Sequence, residues 1–111
     1  MTLQTLIEKL GGTLVVDKSD ATISTAYTSD LLSDVMGHCG DESVLITIQN
    51  HLNTIAVCTL AGIEVIVICH GRPVPEDMKA AAEREEVAIV TTTMSQFQAS
   101  VALRSLSASV K

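Results

Sequence analysis

Apolar residues recur at helical spacing at the start of the chain, then in short β-branched runs separated by helical stretches. Leu3, Leu6, Ile7 and Leu10 share one helical face, which predicts a helix over residues 2–10 stopped by Gly11 and Gly12. Thr13 to Val16 reads as a short strand, followed by the polar turn Asp17-Lys18-Ser19-Asp20. Ala21 to Thr28, with three threonines and Ile23, reads as a second, less buried strand. Ser29 is placed to cap a short helix from Asp30 to Gly37, with Asp30 favourable in its first turn.

From Ser43 the pattern becomes regular. Ser43 to Ile48 predicts a strand, and Gln49 or Asn50 the cap of a helix from His51 to Leu60 that ends at Ala61-Gly62. Ile63 to Cys69 (IEVIVIC) is nearly continuous in β-branched residues, as a strand buried on both faces requires. Pro75 suits the first position of a helix running to about Glu86, and Val87 to Val90 predicts a short strand. Thr93 and Gln96 have the spacing of a capping box for a last helix through Phe97, Val101 and Leu103. Strand–helix alternation with short links implies parallel strands joined by right-handed crossovers. The expectation is an α/β fold, a three-layer α/β/α sandwich with a mostly parallel central sheet. The first forty residues are expected to add antiparallel or edge strands. The 111 residues suit one domain over 1–111, with a core of about 3–105 and a frayed tail over 106–111.

Composition changes this picture in one respect. Hydrophobic residues make up 47 % of the chain, yet Tyr27 and Phe97 are the only aromatics, so the core must be aliphatic. Charged residues, at 18 %, fall below the roughly 25 % of ordinary domains. Apolar surface left over is then expected to be covered by a second copy, a homodimer being the simplest arrangement. The net charge of −6, without any run of Lys or Arg, argues against nucleic acid, which binds basic faces. The opening residues lack the uninterrupted apolar centre of a signal peptide. Leu52 to Cys69 is interrupted by Asn53, Gly62 and Glu64, short of the roughly 20 apolar residues a membrane span needs. Three cysteines, Cys39, Cys58 and Cys69, fit a reduced, cytoplasmic protein better than a disulfide framework.

Two clusters carry candidate chemistry. Cys69, His70, Gly71 and Arg72 follow the carboxyl end of the strongest strand and precede a helix, where open α/β sheets collect ligands, above all at a switch in strand order. Arg72 and free amides at the helix start suit an anion, such as a nucleotide phosphate. Gln49, Asn50, His51 and Asn53 form a polar group at the preceding strand–helix junction, suited to ligand hydrogen bonds, a dimer contact or simple capping. The pairs His38-Cys39 and Cys69-His70 offer thiolate and imidazole, but no C-x-x-C spacing supports a metal site. Asp30 and Asp34 are one helical turn apart and are explained by the helix start and by solvent. No P-loop, nucleophile elbow or H-E-x-x-H motif is present, so catalytic residues and cofactors are not expected. The reading is a non-catalytic regulatory, ligand-sensing or interaction domain. Its alternatives are a small metal- or redox-responsive protein using Cys and His, or a minimal enzyme with His70 in its active loop.

The run Tyr27-Thr28-Ser29-Asp30-Leu31-Leu32-Ser33-Asp34-Val35-Met36 resembles the SDLLSDV signature of small stand-alone DRTGG-domain proteins. So do Thr47-Ile48-Gln49, Asn53 with Ile55-Ala56-Val57, and Arg72-Pro73 before an acidic helix start; Phe97 matches the closing region in part. The resemblance spans about Leu3 to Leu103. It implies a three-layer fold similar to the amino-terminal domain of HPr kinase/phosphorylase, commonly homodimeric. It also implies a regulatory attachment, as beside CBS pairs in pyrophosphatases, with a partner enzyme supplying the chemistry. The name-giving motif is itself replaced: Thr47-Ile48-Gln49-Asn50 stands where Asp-Arg would fall, and Cys69-His70-Gly71 where Thr-Gly-Gly would.

Overall fold

The structure, a computed structural model, describes residues 1–109 and, of 107–109, the backbone only. Its elements are α1 (Leu3–Leu10), β1 (Thr13–Val16), β2 (Thr25–Thr28), α2 (Leu32–His38), β3 (Ser43–Thr47), α3 (Leu52–Ala61), β4 (Val65–Ile68), α4 (Glu76–Glu85), β5 (Ala88–Thr91), α5 (Gln96–Ala102) and a 3₁₀ segment (Arg104–Ser109). The five strands form one sheet in the order β1-β5-β4-β3-β2. β2 to β5 are parallel, and β1 closes the far edge antiparallel to β5. The three-layer α/β/α expectation therefore holds, including an antiparallel edge strand from the first forty residues.

Because β2, β3, β4 and β5 are consecutive neighbours, three right-handed crossovers in one direction put α2, α3 and α4 on one face. Strand alternation divides the core accordingly. Leu45, Ile66, Ile68 and Ile89 meet Val35 of α2, Ile55 and Cys58 of α3, and Met78, Ala81 and Ala82 of α4. Val44, Ile46, Val65, Val67, Ala88 and Val90 point to the other face, against Leu3, Leu6 and Leu10 of α1 and Ala99 of α5. β3 and β4 are buried along their whole length, as their continuous β-branched runs predict.

Several boundaries differ from the sequence expectations. α2 starts at Leu32 with no side-chain cap, and Ser29 instead turns the chain by accepting from Leu31 N–H at 3.2 Å. α3 starts at Leu52, and neither Gln49 nor Asn50 caps it, because both side chains reach other loops. Pro75 sits one position before α4. The capping box of α5 is Ser95 with Gln98, two residues beyond Thr93 and Gln96, because Gln96 is held by Asp30. Leu106, expected at the start of a frayed tail, is 6 % exposed and belongs to the core with α1 and α5. Of the predicted frayed stretch, residues 110–111 lie outside the described residues.

Candidate functional site

Parallel strands bring their carboxyl ends to one side of the sheet, so four loops assemble there: 29–31 after β2, 48–51 after β3, 69–75 after β4 and 92–95 after β5. Their centre is Asp30. One carboxylate oxygen, Oδ1, accepts from Thr47 Oγ1 at 3.0 Å, Ile48 N–H at 3.0 Å and Gln96 Nε2 at 2.9 Å. Gln49 Nε2 donates to the Asp30 carbonyl at 2.7 Å, and Gln49 Oε1 lies 2.6 Å from His51 Nε2. Sequence reasoning assigned Asp30 to a helix start and missed this role. The available signal was the pair of glutamines, Gln49 and Gln96, each following a strand of the same parallel sheet.

The loop after β4 is tightly built. His70 and Gly71 both have φ of +61°, and Arg72 N–H donates to the Cys69 carbonyl at 3.3 Å, the pattern of a type I′ turn. His70 N–H donates to the Met94 carbonyl and Gly71 N–H to the Thr92 carbonyl, both at 2.9 Å. The amides of this turn are thus already engaged, and those expected to suit an anion are the ones at the start of the helix that follows. At the start of α4, Glu76 and Asp77 place negative charge, and Asp77 accepts from Met78 N–H at 2.8 Å. The side chains of His70 and Arg72 are exposed in this loop.

The chain leaving β5 crosses to the opposite helical layer. No strand-order reversal occurs among β2 to β5, so the crevice expected at a switch point does not open between β3 and β4. Residues 92–96 instead run across the carboxyl ends, from the loop after β4 to Asp30. Thr92 Oγ1 anchors this segment through the Leu10 carbonyl at 2.9 Å.

The two sequence-predicted clusters meet. Asn50 Nδ2 donates to the Pro73 carbonyl at 2.7 Å, joining the loop after β3 to the loop after β4. Gln49, Asn50 and His51 therefore share one rim with His70, Gly71 and Arg72. Asn53 lies exposed in the first turn of α3 without a hydrogen bond among the described residues. Cys69 is not on the rim surface; its side chain is buried in the α1/α5 face of the core. Burial, then the nearby Asp30 charge, pushes its thiol up to about 11. Among the described residues, every buried side-chain polar atom has a partner.

The remaining thiols are equally muted. Cys58 is pushed up to about 12 by burial and then by Cys39, and burial raises Cys39 as well. No group of three His, Cys, Asp or Glu side chains is arranged for a metal ion among the described residues. Likewise, no helix among them is long and apolar enough to cross a membrane. A cavity of about 440 Å³ lies at the opposite end of the sheet, lined by Lys18, Asp41, Glu42, Glu64, Glu85 and Glu86. A groove of about 350 Å³ runs between α3 and α4.

No protein-family model matches the chain, and no curated protein sequence does. Among solved structures, the chain is similar over 92 % of its length, with a TM-score of 0.74, to the CBS and DRTGG domains of the regulatory region of Clostridium perfringens pyrophosphatase, complexed with the activator diadenosine tetraphosphate. The chain has a DRTGG-like fold. At 11 % identity the likeness is one of fold, and the chain spans 45 % of that structure's length. Of the positions that the resemblance sets against the name-giving motif, Gln49, Asn50, His70 and Gly71 lie on the rim, whereas Thr47 and Cys69 are buried.

Proposed function

We propose that this chain is a non-catalytic regulatory domain. It senses a small anionic ligand, in the first instance an adenine nucleotide, and acts as a cytoplasmic homodimer on a partner enzyme. The observation that carries this reading is the fold, shared with the regulatory region of a pyrophosphatase whose activator is a dinucleotide. The rim supports its location. Arg72 is exposed and makes no ion pair among the described residues, leaving its planar guanidinium available to a phosphate. His51, Asn50, Gln49 and His70 supply neighbouring polar groups, with Asn53 at the edge. Burial of Cys58 and Cys69, whose thiols are raised to about 12 and about 11, argues against a thiolate nucleophile at either position.

Thermal unfolding with AMP, ATP and diadenosine tetraphosphate tests the proposal. A ligand at ~100 times its Kd raises the midpoint by on the order of 10 °C in a domain of this size. Arg72→Ala is expected to remove most of that rise while leaving the ligand-free midpoint in place. Absence of any shift at millimolar nucleotide, or an undiminished shift in Arg72→Ala, contradicts the assignment of this rim.

A further inference from the structure

The central helix of the α2/α3/α4 layer has apolar side chains on both faces. Thr54, Ile55 and Cys58 of α3 are buried against the sheet and its neighbours. On the outer side, Leu52, Ala56 and Leu60 follow one another at four-residue spacing and form a single stripe. Leu52 is 45 % and Leu60 75 % exposed. From Ser43 to Ile63 the chain carries no Asp, Glu, Lys or Arg. Asn53 and Thr59 are the polar residues on this outer side; a helix with apolar residues on both faces is ordinarily covered on both, and α3 is buried on one side alone.

We propose that the outer face of α3 and α4 is the surface on which a second copy of this chain docks. The inference rests on the dimer reading above and assigns it a place. The face is self-complementary in shape. Leu60 projects from it, and beside Leu60 lies the groove of about 350 Å³, floored by Ile55 and Ala81. A two-fold axis brings the same patch onto itself, so each copy offers a knob and a hole to the other. Arg84 and Glu85 line the groove at adjacent positions and pair with each other at 3.7 Å, so the face they border carries no net charge. Two chains of charge −6 repel unless their touching faces are neutral. An uncharged helix flanked by one Arg and one Glu meets that requirement. A foreign partner has no comparable claim, because nothing obliges it to match both knob and hole.

Analytical ultracentrifugation of the wild type, Leu60→Glu, Arg84→Glu and the double swap Arg84→Glu/Glu85→Arg tests the surface. Circular dichroism and the thermal midpoint of each variant report folding, which an exposed leucine does little to maintain. The expected result is a wild-type dimer and a folded Leu60→Glu monomer. Burying two carboxylates weakens association on the order of 100-fold or more. Arg84→Glu is expected to weaken the dimer by setting like charges together, and the double swap to restore it. A folded Leu60→Glu that dimerises like the wild type overturns this surface and leaves the dimer reading standing. A wild type that stays monomeric across the measured range overturns both, and a stripe covered by a different protein then follows.

Discussion

Gln96 and Asp30, 66 residues apart in sequence, are joined by a hydrogen bond of 2.9 Å from the side-chain amide to the carboxylate. This contact ties the start of α5 to the turn between β2 and α2. It also draws the segment after β5 over the carboxyl ends of the sheet. The same oxygen holds Thr47 and Ile48 of the loop after β3. One side chain thus braces the loops on which the proposed ligand rim stands.

Asp30→Ala removes an acceptor shared by three donors. Hydrogen bonds to a charged group contribute about 1.5–3 kcal/mol, and the site is half-buried, so a loss of about 2 kcal/mol is expected. Urea unfolding with an unchanged m-value checks it; a loss below ~0.5 kcal/mol would show that Asp30 braces nothing.

His70 holds φ of +61°, a conformation that suits glycine better than any side chain. His70→Gly is expected to raise stability by about 0.5–1 kcal/mol. If the rim binds nucleotide, the same substitution weakens binding. Rising stability with falling affinity is the signature sought, measured by urea unfolding and calorimetric titration on one preparation. A stability loss would mean the imidazole supports the fold.

The buried thiols make a prediction about alkali. Cys58 and Cys69 are raised from 9.0 to about 12 and about 11, so the folded state holds their protons longer than the unfolded chain does. The stability they contribute is complete below pH 9 and is lost as pH rises from 9 toward those values. Below that window, native protein at pH 8 should resist a disulfide reagent that titrates all three cysteines in denaturant. Rapid native labelling of Cys58 or Cys69 would refute the assignment.

Tyr27 and Asp34 give the acid counterpart. The Tyr27 hydroxyl donates to Asp34 Oδ2 at 2.6 Å, and this bond is the main reason the Asp34 carboxyl lies below its ordinary value of 3.8. Ser29 and His38 act in the same direction. The contribution is present at neutral pH and lost as pH falls through the lowered value. Tyr27→Phe should therefore be less stable than the wild type at pH 7, with the two converging as Asp34 protonates. A stability difference that is constant from pH 7 to pH 2 would place its origin in packing.

Much of this was legible along the chain because it depends on local periodicity. The IEVIVIC run could only be a strand covered on both sides, and the strand–helix alternation after Ser43 left a parallel sheet as the economical arrangement. Gly11, with φ of +55°, stops α1 where expected, because its left-handed backbone favours glycine. Capping is less legible. Thr93 with Gln96 and Ser95 with Gln98 are equal as motifs, and the choice fell to the second pair once Asp30 had claimed Gln96.

The sequence by itself thus determined the class of fold, the aliphatic core and the two polar loops that came to share a rim, since each follows from residue type and spacing. The tertiary structure alone decided the rest. It sent all three crossover helices to one face, laid residues 92–96 over the expected crevice, engaged the loop amides and turned Cys69 inward. The helices' common face follows from strand order, while the laid-over segment and the engaged amides rest on hydrogen bonds between residues tens of positions apart, such as Gln96 to Asp30 and His70 to Met94, which no local pattern encodes.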